Sequence, residues 1–102
     1  MILPCNKAQL EALAKLFDKL MYQQQYDIRS SLAHDLLKPI HIKLKTRLNI
    51  KLQNKKGWNL SLTPIQAKSY YAFFEGRHLG DGWPYEQLLI ETHLNLIEKA
   101  YG

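Results

Sequence analysis

Apolar residues stand at every fourth position from Ile28 to Leu48, through Leu32, Leu36, Ile40 and Leu44, with Ala33 and Leu37 beside them. A spacing of four suits the helical repeat of about 3.6 residues and not the two-residue alternation of a strand. The spacing predicts a helix from Asp27 to about Asn49, which must find other elements to pack against. Pro39 falls inside it, removes one backbone donor and crowds the preceding turn, so a kink or a break into two helices is expected there. A second pattern overlaps the first. Ile40-Ile42-Leu44, Leu48-Ile50-Leu52 and Trp58-Leu60-Leu62 each alternate with polar residues, as hairpin strands do around a turn such as Asn54-Lys55-Lys56-Gly57. Helix takes precedence over residues 40–48, and extended chain or a short hairpin is expected over 50–62.

Three further helices have clear starts or faces. Asn6 can cap a first helix with Gln9 three residues on, and Cys5 and Leu10 occupy the two positions of a hydrophobic staple. Leu10, Leu13, Leu16, Phe17, Leu20 and Met21 then form one apolar face, reaching about Gln24. Asp27 is the best cap for the second helix. Thr63, Pro64 and Gln66 open a third, with Leu62 and Ala67 as its staple; Tyr70, Tyr71, Phe73 and Phe74 leave little of its later surface polar, so it is expected to be the most buried element, ending near Gly76. After the turn at Gly80-Asp81-Gly82, Pro84 opens a fourth, with Glu86 in its first turn and Lys99 at its end, each where the helix dipole favours its charge. The expectation is one mainly α domain over residues 1–102, a four-helix bundle with a kinked second helix and an extended segment before the third.

Charge is distributed unevenly. Between Leu36 and Phe74 there is no Asp or Glu, and eight basic residues give that block +8; residues 1–35 are balanced and residues 75–102 carry −3, for a net +5. Lys43, Lys45, Arg47, Lys51, Lys55 and Lys56 are the candidates for gripping phosphates, with Trp58 able to stack on a base. The alternative is an ordinary solvated face with Trp58 as a core anchor. No recognition-helix motif points to sequence-specific reading. The single Cys5 cannot make an internal disulfide, which suits a reducing, cytoplasmic setting. No apolar run approaches the roughly 20 residues of a membrane span, and the opening residues lack a secretion signal's apolar core, so neither membrane nor export is expected.

Catalytic and metal chemistry find little support. His34 and His41 are seven residues apart, about 10 Å along a helix and too far for one ion. Glu75 and His78 match a Glu-x-x-His spacing, but carboxylate-bridged sites need two copies on facing helices. His93, among Ile90, Leu94 and Leu96, reads as a satisfied histidine at the core edge. Cys5 has no nucleophile signature, and there is no glycine-rich phosphate loop. No catalytic residue, metal or cofactor is assigned. The fourth helix, by contrast, carries apolar residues on two sides: Leu88, Leu89 and Leu96 on one, and Ile90, Leu94, Ile97 and Tyr101 on the other. With Tyr70 and Tyr71, the second set forms the candidate interface for self-association or a protein partner.

The stretch Leu60-Ser61-Leu62-Thr63-Pro64-Ile65-Gln66-Ala67, the aromatic run after it and Tyr85-Glu86-Gln87-Leu88-Leu89 together resemble the C-terminal half of a group of small uncharacterised helical proteins. These are encoded in Bacteroidetes genomes, some near phage or conjugative elements. The resemblance covers about the last 45 residues. The group has no established activity, so the resemblance implies no functional residue, only the setting of a mobile-element accessory protein. The reading is a small non-enzymatic helical module acting through protein contacts, with non-specific nucleic-acid binding by the block 38–56 as the alternative.

Overall fold

The computed structural model describes residues 1–23, 27–49 and 58–102. Within them the order is β1 (Ile2–Leu3), α1 (Lys7–Met21), α2 (Ile28–Asn49), β2 (Leu60–Ser61), α3 (Pro64–Phe74) and α4 (Pro84–Tyr101). The helix starts follow from local chemistry. Asn6 accepts from the Gln9 amide at 2.8 Å while Gln9 accepts from the Asn6 amide at 2.9 Å; Thr63 and Gln66 repeat that reciprocal box on α3. Asp27 accepts from the Ser30 amide at 2.7 Å, which holds its carboxyl below the usual range. Trp83 makes no such bond with its side chain, and α4 instead starts on the fixed backbone angle of Pro84.

Helix packing follows chain order, α1 on α2, α2 on α3 and α3 on α4, and α4 closes back on α1. Phe17 of α1 meets Tyr70 and Phe74 of α3 at ring-centroid distances of 6.3 and 5.8 Å, with Tyr70 and Phe74 5.0 Å apart. All three are buried, together with Leu10, Leu13 and Leu16 of α1 and Leu37, Ile40 and Leu44 of α2. The core therefore lies between the α1–α2 pair and α3, with Leu89, Ile90 and Ile97 of α4 closing it. Burial of a side chain of this size stabilises by about 1.5–3 kcal/mol. The core is what fixes the relative placement of the candidate surfaces.

α3 is not the most buried element: α1 buries six of its residues, and α3 buries Ala67, Tyr70 and Phe74. α2 runs through Pro39 as one helix, so of the expected kink or break the break does not occur. Pro39 is exposed, so the backbone group it deprives faces solvent, while Leu37 and Ile40 anchor the helix to the core on either side of it. Leu60 and Ser61 are extended, but their partner is the N-terminus: β1 and β2 are antiparallel, with Ile2 opposite Ser61 and Leu3 opposite Leu60. The Leu62 amide continues the ladder to the Met1 carbonyl at 2.8 Å. Residues 40–48 are helical, not a hairpin strand; residues 50–57 of the expected hairpin lie outside the described residues.

Candidate functional site

Two lysines of the basic block, Lys43 and Lys45, are drawn into the fold. The ammonium of Lys43 donates to the Ser61 carbonyl at 2.7 Å and to Oε1 of Gln66 at 2.8 Å, tying α2 to β2 and α3. Lys45 pairs with Asp18 of α1 at 2.9 Å, and His41 reaches the other oxygen of that carboxylate at 2.6 Å. Those two contacts hold Asp18 below the usual carboxylate range, Lys45 first and His41 second. Arg47 is half-buried at the end of the helix. Trp58 is half-buried against the core, with the ammonium of Lys7 5.7 Å from its ring centroid. Lys51, Lys55 and Lys56 lie outside the described residues. Lys43 and Lys45 thus serve contacts between elements.

Three of the expected interface residues belong to the interior. Tyr70, Ile90 and Ile97 are 0, 1 and 2% exposed. The four aromatic residues on α3 left open which tyrosine faced outward; Tyr70 turns in to stack on Phe17 and lie tilted against Phe74, and Tyr71 is half-buried at the edge. On α4, both apolar sides contribute to one broad inward surface, so the helix uses Leu89, Ile90, His93 and Ile97 for its own core. Leu94 is half-buried and Tyr101 exposed. Tyr71 and Tyr101 flank a shallow cleft of about 270 Å³, with Ile97 lining it and Lys68 and Glu98 at its rim. The Lys68 ammonium sits 5.4 Å from the centroid of the Tyr101 ring.

A polar cluster that sequence reasoning did not assemble lies behind α4. His93 is 1% exposed, with Nδ1 3.0 Å from the Tyr70 hydroxyl and Nε2 3.1 Å from the Pro4 carbonyl. A carbonyl only accepts, so Nε2 carries the proton and Nδ1 accepts from Tyr70. The Cys5 sulfur lies 3.7 Å from Nε2. Burial pushes the Cys5 thiol up to about 11, lowers the pKa of His93 and raises that of Tyr70. All three side chains are neutral at physiological pH. A Cys-His nucleophile needs a thiolate beside an imidazolium, so the cluster works as a structural clasp joining the N-terminal segment, α3 and α4. His93 alone was legible as a satisfied histidine; its partners are 23 and 88 residues away in sequence.

The surface that stands out is the outer side of α2. Along the row of fours, exposure falls from 87% at Ile28 to 57% at Leu32 and 37% at Leu36, and then to 0% at Ile40 and Leu44. Each step of four residues advances about 40° beyond a full turn, so the row winds from solvent into the core. Only its second half is core. The first half leaves three large aliphatic side chains facing outward. Pro39 and Ile42 lie about three and four turns beyond Ile28 and point in nearly the same direction; both are exposed. Beyond Pro39, the strip opens into a groove of about 660 Å³ between α2 and the two-stranded sheet, lined by Ile2, Ile42, Thr46 and Leu60 among others. Ile2 and Ile42 are each 61% exposed.

Among the described residues, no helix is long and apolar enough to cross a membrane, and no group of three metal-ligating side chains converges. Comparison with known proteins returned no matching family model, no matching curated protein and no matching solved structure.

Proposed function

We propose that this chain is a small non-enzymatic docking module, an assembly or accessory subunit that holds another protein on the outer face of α2. The observation that carries the reading is the exposure gradient along that helix. Ile28, Leu32 and Leu36 form a contiguous outward row on the same helix whose Leu37, Ile40 and Leu44 are fully buried. Aliphatic residues scattered over a surface need no explanation, whereas a row at helical spacing running toward a groove of mixed lining, with Ile2 and Ile42 at its apolar side, has the form of an interaction surface. The engagement of Lys43 and Lys45 with Ser61, Gln66 and Asp18 favours this reading over phosphate gripping by the basic block. A lone cysteine kept as a buried thiol supports a cytoplasmic setting.

Site-specific photo-crosslinking in the cells that make the protein tests the reading. A benzoyl-phenylalanine at position 32 gives one discrete protein adduct, lost when Ile28→Ser and Leu36→Ser are added. The same label in place of the exposed Asn95 of α4 gives none. Equal labelling from both positions overturns the reading.

A further inference from the structure

We draw no further inference here: the strongest candidate, the surface patch of Ile28, Leu32 and Leu36 on the outer side of α2, lies among charges of both signs, with Arg29 and Lys38 beside Asp27 and Asp35, and nothing in the structure shows what covers it.

Discussion

The Tyr70 hydroxyl donates to Nδ1 of His93 across 3.0 Å, in a part of the core where both side chains are 1% exposed or less. With Nε2 committed to the Pro4 carbonyl, every polar atom of the imidazole has a partner. Tyr70→Phe keeps the ring contacts with Phe17 and Phe74 and removes only the donor. The expected cost is about 1–3 kcal/mol, the penalty for one buried acceptor left unpaired. Urea unfolding of the variant beside the parent measures it; an unchanged midpoint would show that this bond contributes nothing.

Stability should fall on both sides of neutrality. Burial lowers the pKa of His93 from its ordinary 6.5, with the Pro4 carbonyl opposing in part. The unfolded chain therefore takes up the proton more readily, so this contribution is complete above pH 6.5 and is lost as pH drops below it. Cys5 behaves in the opposite sense. Its thiol is raised from 9.0 to about 11, so its contribution is complete below pH 9.0 and disappears as pH rises toward 11. Thermal unfolding from pH 5 to pH 10.5 should trace both arms, and Cys5→Ala should flatten the alkaline one.

The winding row on α2 predicts opposite responses to the same chemical change. Ile40→Ala removes a fully buried side chain and is expected to cost about 2–5 kcal/mol. Ile28→Ala, twelve residues earlier in the same periodic pattern, should stay within about 0.5 kcal/mol. Equal costs in chemical denaturation would mean that the first half of α2 is also packed in the isolated chain.

Lys43 and Lys45 separate in the same way. Lys43→Met takes a charged donor away from two acceptors on two other elements, for an expected loss of about 1.5–3 kcal/mol. Lys45→Met breaks an exposed pair with Asp18 and should cost at most about 1 kcal/mol. The two urea midpoints, read under one buffer and salt condition, check the order.

Legibility in the sequence followed the range of the interaction. Asn6 with Gln9 and Thr63 with Gln66 are bonded across three residues, so both helix starts were readable from residue types alone. Pro84 was equally plain, because a fixed backbone angle needs no partner. The periodicity of Ile28 to Leu48 identified the helix but not which side of it was inside, since a spacing of four keeps rotating and the core samples only one sector. Tyr70 and Tyr71 are adjacent, and only the position of Phe17 on another helix decides between them. Leu60 and Ser61 were recognisable as extended chain. Their pairing with Ile2 and Leu3 was not, because nothing local distinguishes that partner from a neighbouring hairpin strand. The contacts of His93 with Cys5 and Pro4 lie at the far end of this scale, 88 and 89 positions apart in the chain.

That distance also sets an order of events during synthesis. β1 leaves the ribosome before α1, yet its ladder partner follows about sixty residues later, and the imidazole beside Cys5 comes later still. α1 and α2 can dock on each other in the meantime, being neighbours in the chain. Leu3 and Cys5 are thus made before α1 yet secured after it, Leu3 when β2 emerges and Cys5 only when His93 of α4 does. The wait of the N-terminal segment for its partners is therefore a matter of chain length between them, and not of the strength of the finished contacts.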